Sequence, residues 1–298
     1  MMRRSRLVWC SAAVVAACGG NGTTGFNPTD GGSDGPGMMN NPDTGVVFSD
    51  AGPPDTSGTP MDAMAQEVDY VYAQSPTDLY KVDPVAKTMT TVGPFNGCSS
   101  VIDIAIDANS NGYATTFGGV YHLDLTTAAC TLIASGSYPN SLSFVPKGTL
   151  DPTVEALVGY NGSTYVRIDT TSGAVTNVGT LTGGFESSGD IVSVTNGGTF
   201  LTVTGNGCGD CLLQVNPKTG DMVQNYGNVN HGSVFGIAFW AGTVYGFDDA
   251  GELFSITWSG SSIVTTNIPT TPGLEFWGAG STTSAPATSP DGGGIPIN

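Results

Sequence analysis

One phrase that recurs along the chain restricts the fold more than any other feature of the sequence. Each copy reads as a strand, a turn and a second strand, as in YVRIDTTSGAVTNVG from Tyr165, where Val166 and Ile168 alternate with polar residues. The residues that follow the first strand of each copy are Asp83, Asp124, Asp169, Asn216 and Thr257. Successive anchors lie 41, 45, 47 and 41 residues apart. A period of about 40–50 residues with four strand signals is typical of β-propeller blades.

The first copy lacks the inner strand that the other copies carry, and the other end of the chain supplies it. LEFWGAGSTTSA resembles the inner strand SVFGIAFWAGTV, with Trp277-Gly278-Ala279 aligned to Phe235-Gly236-Ile237. A C-terminal strand that completes the N-terminal blade removes two exposed sheet edges at once. We therefore predict an all-β fold, a single five-bladed propeller of four-stranded blades over residues 66–285, closed by this C-terminal strand.

The repeats resemble the NHL- and YVTN-like repeats of bacterial surface propellers, whose blades read DIAxD, GxxY and LYxxDxxTG in that order. Asp103–Asp107, Tyr113 and Asp169–Gly173 meet this pattern. The resemblance implies the propeller fold, but such repeats serve many functions and imply no activity.

The charge of the chain excludes one class of partner. It has 8 Lys and Arg residues against 25 Asp and Glu, a formal net charge of −17. Such a surface repels phosphate backbones, so we exclude a nucleic-acid partner.

The N-terminus has the form of an export signal. Three arginines precede an apolar run from Leu7 to Ala17, too short to span a bilayer comfortably. The sequence Val-Ala-Ala-Cys-Gly ending this segment resembles the lipobox of bacterial lipoproteins. The resemblance implies a signal peptide over 1–17, a lipid on Cys18 that attaches the protein to a membrane, and, because Gly19 follows, the outer membrane of a Gram-negative bacterium. The alternative is an ordinary signal peptide cleaved elsewhere.

Two segments outside the predicted propeller have compositions that disfavour folding. Residues 18–65 are rich in Gly, Pro, Asp, Asn, Ser and Thr and bury too little apolar surface to offset their ordering entropy, so we predict a disordered tether. Residues 286–298 are predicted to form a short disordered tail.

Four cysteines lie beyond the export signal, an even number that predicts disulfides in an exported protein. Cys208 and Cys211 lie in a predicted turn between the second and third strands of a blade, where a local bridge forms easily; a redox or zinc half-site is the alternative. Cys98 and Cys130 remain as the second pair. The strand map places them at opposite ends of a blade, so their bridge requires residues 93–100 to fold across it.

Five-bladed propellers include glycosidases, which place carboxylates around the central funnel formed by the inner strands. Strand alignment puts Asp103, Ser141, Ile191, Gly236 and Gly278 at the funnel positions. Asp190 and Glu275 lie nearby in other registers, so the candidate funnel site comprises Asp103, Ser141, Asp190 and Glu275. We favour a structural role for Asp103, as an acceptor for backbone amides of a neighbouring blade.

The remaining motifs predict no catalytic residue, metal site or cofactor. Asp107-x-Asn109-x-Asn111-Gly112 resembles the start of a calcium loop, but Gly118 occupies the position of the EF-hand glutamate, which favours an Asx-rich turn. The sequence therefore predicts a lipid-anchored, extracytoplasmic binding or scaffold module whose partner is a surface protein or a glycan. The alternative function is a glycan-active enzyme or lectin on the same fold.

Overall fold

The computed structural model describes residues 71–288. The predicted signal peptide, Cys18, the predicted tether and the last ten residues lie outside this range. Within it, every regular element is a β-strand, and there is no helix long and apolar enough to cross a membrane.

Twenty strands form five antiparallel sheets of four strands each. Blade 1 contains β1 (Val71–Gln74), β2 (Asp78–Asp83), β3 (Thr88–Pro94) and, as its inner strand, β20 (Gly278–Gly280). Blade 2 contains β4 (Val101–Ile106), β5 (Gly112–Thr116), β6 (Gly119–Leu123) and β7 (Cys130–Ser135). Blade 3 contains β8 (Leu142–Val145), β9 (Ala156–Asn161), β10 (Thr164–Ile168) and β11 (Val175–Thr180). Blade 4 contains β12 (Phe185–Val194), β13 (Gly198–Gly205), β14 (Cys208–Val215) and β15 (Met222–Asn228). Blade 5 contains β16 (Val234–Trp240), β17 (Thr243–Asp248), β18 (Leu253–Ser259) and β19 (Ser262–Ile268).

The five inner strands contact one another in a closed ring, in the order β20, β4, β8, β12, β16 and back to β20. This arrangement confirms the predicted five-bladed propeller and its closure by the C-terminal strand. Tyr72, Ala73 and Gln74 pair with Gly280, Ala279 and Gly278.

We label the four strands of each blade A to D from the axis outward. Because consecutive strands are antiparallel, the A–B and C–D turns of every blade lie at one end, here called the AB/CD face. The B–C turns and the D–A loops between blades lie at the other end, the BC/DA face.

Burial decreases from the axis to the rim, as expected of blades packed face to face. Every residue of the inner strand β4 is buried, whereas the outer strand β7 has none that is fully buried. The largest fully buried side chains are aromatic, including Tyr160, Phe200 and Phe239, and they fill the hydrophobic clusters between neighbouring blades.

The anchors of the recurring phrase have a structural explanation at the C–D turns. The side chain of Asp83 accepts hydrogen bonds from the amides of Val85 and Ala86, each at 2.9 Å. Asp124 and Asp169 accept the corresponding amides of their own turns, and Asn216 accepts the amide of Lys218. The phrase therefore repeats because a short polar side chain closes the turn in four of the five blades.

Both predicted disulfides are present. Cys208 and Cys211 lie on β14, with their Cα atoms 5.7 Å apart. Cys98, in the loop between blades 1 and 2, is bonded to Cys130 on the outer strand of blade 2, with a Cα separation of 5.6 Å.

The Cys98–Cys130 disulfide forms although the strand map places the two cysteines at opposite ends of a blade. Adjacent strands of a sheet twist by about 20–25°, so an outer strand is turned by roughly 60–75° from the inner strand of its blade. The two ends of the outer strand are therefore only slightly separated along the propeller axis. Asn96 forms an isolated parallel bridge with Ala129 and accepts the amide of Cys130 at 2.6 Å. Gly97 has φ +93, and a Cβ there would lie 2.4 Å from the carbonyl oxygen of Cys130, so this crossing requires glycine.

Candidate functional site

The central funnel is the first candidate site, and three of its five positions carry polar side chains. Asp103, Asp190, Gly236 and Gly278 lie on the inner strands of blades 2, 4, 5 and 1, and Ser141 directly precedes the inner strand of blade 3. Asp103, Ser141 and Asp190 are all completely buried. The structure thus places three of the four candidate funnel residues at one level of the axis.

The alignment that assigned the fourth blade's funnel position to Ile191 is corrected by the structure, which gives this position to Asp190. The pairing of β12 with β13 shifts between Ser187 and Ile191, and such a bulge changes which side chains face inward. Ile191 instead lies in the hydrophobic cluster between blades 3 and 4. The signal for the correct alignment was present, because an Asp-Ile pair occurs in β12 as well as in β4.

Glu275 lies apart from these residues. Its side chain is exposed and accepts a hydrogen bond from the indole nitrogen of Trp277 at 2.6 Å. It precedes β20 rather than belonging to an inner strand.

The two buried aspartates satisfy backbone amides that the ring leaves without strand partners. Inner strands are sheet edges, so every second amide has no neighbouring strand to bond. Asp190 Oδ1 accepts the amide of Ile191 at 2.6 Å, and Asp190 Oδ2 accepts the amide of Ile237 at 2.8 Å. The amide of Leu142 approaches Asp190 Oδ1 at 3.4 Å, and Asp103 Oδ1 accepts the amide of Ile104 at 2.8 Å. The four donors come from four different blades.

The same two carboxyl groups also influence each other's pKa values. Burial raises the pKa of Asp103 well above its usual value, and the charge of Asp190 raises it further. Burial likewise raises the pKa of Asp190, although its backbone donors oppose this. Asp190 accepts amides at both oxygens, whereas Asp103 Oδ2 is buried without a hydrogen-bond partner within residues 71–288. Asp103 is therefore the member of the pair that is protonated more easily.

Two glycines allow close contacts at this level of the axis. A Cβ on Gly278 would lie 2.4 Å from Asp103 Oδ1, and a Cβ on Gly236 would lie 2.6 Å from the carbonyl carbon of Gly278. The Asp103 carboxyl group therefore occupies space that Gly278 leaves, and the backbone of β20 occupies space that Gly236 leaves.

The C-terminal segment crosses the AB/CD end of the ring after β20. The carbonyl of Thr283 accepts the amide of Thr195 at 2.8 Å, and the carbonyl of Pro286 accepts the amide of Ala241 at 2.7 Å. The hydroxyl of Thr283 donates to Glu155. The segment thereby contacts the A–B turns of blades 3, 4 and 5.

An open cavity of about 880 Å³ lies on the AB/CD face between blades 2 and 3. The A–B loop of blade 3, residues 146–155, forms one wall and is longer than the A–B turns of blades 2, 4 and 5. Aromatic and aliphatic side chains form the inner part of the cavity: Tyr113, Phe144, Leu157 and Ile168. Polar and charged side chains surround them: Asp107, Asn109, Lys147, Thr153, Glu155, Arg167, Asp169, Thr170 and Thr171.

The carboxylates around this cavity accept hydrogen bonds from local donors. Asp151, next to the cavity, accepts the amides of Thr153 and Val154 and the Arg167 guanidinium at 3.2 Å. The hydrogen bonds from Thr153 are the main reason that the pKa of Asp151 falls to about 2. Ser172 similarly lowers the pKa of Asp169, mainly through its amide. These groups are ionised at neutral pH and fixed in place.

The motif that resembles a calcium loop borders the same cavity. Asp107 Oδ1 accepts the amides of Asn109 and Asn111 at 2.9 and 2.8 Å, and Asp107 Oδ2 accepts the Asn111 side-chain amide. This is the geometry of an Asx-rich turn.

No protein-family model and no curated protein matches the sequence. Among solved structures, the chain is similar to a chain in a crystal structure of a nidogen–laminin complex, with 11% identity over 72% of this chain and 97% of the other, and a TM-score of 0.46. It is also similar to an auxiliary nutrient binding protein from Bacteroides thetaiotaomicron, with 15% identity over 66% and 54% of the two chains and a TM-score of 0.41. A streptogramin B lyase shows 15% identity over 68% and 67%, with a TM-score of 0.39. At these values the likeness concerns the fold alone, and the number of blades rests on the strand pairings described above.

Proposed function

We propose that this chain is an extracytoplasmic binding module, anchored to the outer membrane by lipid on Cys18, and that its ligand binds in the cavity between blades 2 and 3. The arginine-rich start, the short apolar run and the cysteine that follows it support the anchor. The two disulfides support an oxidising compartment outside the cytoplasm.

The cavity is the observation that carries the binding function. Its volume of about 880 Å³ lies in the range of roughly 300–1,000 Å³ of small-molecule sites. An apolar interior with polar groups at the edge is the usual composition of such sites, because the apolar part supplies affinity and the polar groups supply orientation.

The charges around the cavity favour a ligand that is polar but not strongly charged. Lys147 and Arg167 line it together with three carboxylates, so neither sign dominates. Because local amides already occupy the carboxylates, the threonine hydroxyls, Asn109 and Lys147 supply the contacts to a ligand. This chemistry suits a glycan or an uncharged peptide segment.

A lectin is the second candidate function, and Tyr113 favours it. This aromatic side chain lines the cavity and is held by ring contacts with Phe144 at 5.1 Å and His122 at 4.6 Å. Tyr113 is 8% exposed, so a small part of its side chain is available to contact the apolar face of a sugar ring. We assign no hydrolytic role to Asp103 and Asp190, because both are fully buried and bonded to backbone amides.

A pair of matched substitutions tests the cavity. Val154 lines it and is 53% exposed, whereas Val264, on the outer strand of blade 5, is 47% exposed and does not line it. The wild-type chain, Val154→Trp and Val264→Trp are compared on a glycan array and in pull-downs from bacterial surface extracts. We expect Val154→Trp to reduce binding at least about tenfold, a loss of about 1.4 kcal/mol, and Val264→Trp to retain it. Equal binding by both variants would contradict the assignment of the cavity.

The anchor is tested separately by intact-mass analysis of protein extracted from membranes. We expect a mature N-terminus at Cys18 with diacylglycerol on its sulfur and an acylated amine. An unlipidated, soluble protein that begins at another residue would contradict the anchor and leave the cavity proposal intact.

A further inference from the structure

The BC/DA face, opposite the cavity, carries a cluster of three side chains that the proposed function does not use. His231 lies in the D–A loop between blades 4 and 5, and Asp248 and Glu252 lie at the B–C turn of blade 5. One nitrogen or oxygen from each residue lies within 4.8 Å of the other two. The donor set is therefore one imidazole and two carboxylates.

We propose that His231, Asp248 and Glu252 bind a divalent transition-metal ion of the zinc type. His231 Nδ1 lies 3.3 Å from Asp248 Oδ2 and 3.1 Å from Glu252 Oε2. For metal–ligand bonds of about 2.0–2.1 Å, the ligands of a tetrahedral ion are separated by roughly 3.3 Å. The two measured separations match the edges of such a tetrahedron.

The histidine is held in one orientation before any ion binds. Its ring stacks on the fully buried Phe254, with centroids 3.6 Å apart and planes 4° apart. Its side chain is only 9% exposed. This packing directs Nδ1 toward the two carboxylates and limits the entropy lost on binding.

Asp248 is oriented in the same way. Its Oδ1 accepts the amides of Ala250 at 3.1 Å and Glu252 at 2.9 Å. These bonds leave Oδ2 as the oxygen that faces His231. A ligating carboxylate whose other oxygen is hydrogen-bonded to the backbone is the usual arrangement around bound metals.

The ligand types select the ion. Calcium and magnesium take oxygen ligands, whereas imidazole is a ligand for zinc, cobalt, nickel and iron. Two carboxylates neutralise the charge of a divalent ion, and Glu252, 50% exposed, keeps the site in contact with solvent. Three protein ligands with access to water leave a fourth coordination position for a water molecule or a substrate group.

Cobalt(II) is the probe for this site, because its visible absorption reports its coordination. The purified full-length chain is titrated with cobalt(II) chloride, and the Nδ1 resonance of each histidine is followed by ¹⁵N NMR. We expect a visible band that saturates at one ion per chain, a displaced Nδ1 resonance for His231, and displacement of cobalt by zinc but not by calcium or magnesium.

The chain offers a matched control, because His122 is its other histidine. We expect His122→Gln to bind cobalt as the wild type does, and His231→Gln and Glu252→Gln to bind at least about tenfold more weakly. Glu252→Gln is the conservative variant, since the exposed side chain keeps its shape and the fold does not depend on its charge. An unchanged cobalt spectrum, or a band that persists in both site variants, would overturn the proposal and identify the cluster as an ion pair alone.

Discussion

The propeller contains two groups of aspartates that accept backbone amides, and they respond to their surroundings in opposite ways. At the axis, Asp103 and Asp190 are fully buried, and burial raises the pKa of both. Beside the cavity, Asp151 accepts similar hydrogen bonds, yet its pKa falls to about 2. At the axis, burial outweighs the hydrogen bonds and raises the pKa, whereas at the exposed Asp151 the hydrogen bonds dominate and lower it.

The comparison also separates structure from binding. The axial carboxyl groups spend their hydrogen-bonding capacity on the four blades around them, so they hold the ring together and are closed to a ligand. The carboxylates around the cavity fix their own turns and leave neighbouring hydroxyl and amine groups open to solvent. Four predictions test this contrast, from the largest expected effect to the smallest.

Removal of the closing strand is expected to have the largest effect. Deletion of residues 273–285 removes β20 and exposes the edge of β1. It also removes the inner strand that contacts β4, on which Asp103 lies. We expect the truncated chain to be unfolded already near room temperature. Circular dichroism during heating should then show no cooperative unfolding transition. A truncated chain that unfolds at the temperature of the full chain would show that the axis does not depend on closure.

Substitution of the two axial aspartates is expected to have unequal effects. In Asp103→Asn, the amide nitrogen replaces the protonated oxygen and still donates to Asp190, so we expect a change in stability of less than about 1 kcal/mol at pH 5. In Asp190→Asn, an amide nitrogen faces one of the backbone amides, which loses its acceptor, at a cost of about 1–3 kcal/mol. Urea denaturation of both variants measures the difference.

The pH dependence of stability in the same variants tests which of the two aspartates holds the proton. Because the folded pKa of Asp103 is raised above its unfolded value of about 3.9, its stabilising contribution is complete below that pH and is lost as pH rises through the folded pKa. Asp103→Asn cannot ionise, so its stability relative to the wild type should rise between pH 5 and pH 9. A constant difference between the two proteins, or a larger loss in Asp103→Asn than in Asp190→Asn, would contradict the assignment of the proton to Asp103.

Substitution beside the cavity is expected to have the smallest effect and the opposite sign. The pKa of Asp151 is lowered to about 2, so its contribution is present above the unfolded pKa of about 3.9 and is lost as pH falls toward 2. Asp151→Asn should therefore unfold a little below the wild-type temperature at pH 7 and at nearly the same temperature at pH 2. Thermal unfolding at the two pH values, with Asp103→Asn measured in parallel, checks the reversal.

Much of the fold was predictable from the sequence because repetition is a local signal that is copied along the chain. The period, the strand–turn–strand phrase and the missing inner strand of the first copy are enough to predict five blades and their closure. The Asx turns at Asp83, Asp124 and Asp169 depend on neighbours two and three residues away, so they follow from the sequence as well.

The candidate sites were predictable only in part. The alternation of side chains in a strand has a period of two, so a single bulge moves a residue from one face to the other. In β12 the register shifts between Ser187 and Ile191, as it does next to Asp103 in β4, and Asp190 rather than Ile191 reaches the axis. The wall of the cavity also depends on the position of one long A–B loop against a neighbouring blade, which strand patterns do not describe.

The sequence by itself determined the number of blades, the composite first blade and the cysteines available for disulfides, because these depend on spacing along the chain. Only the tertiary structure decided which polar groups meet: Asp103 with Asp190, and His231 with Asp248 and Glu252. Each of these contacts joins different blades or segments whose relative positions depend on sheet twist and ring closure. Twist and closure are properties of the assembled ring, so no stretch of the chain short enough to show a pattern contains them.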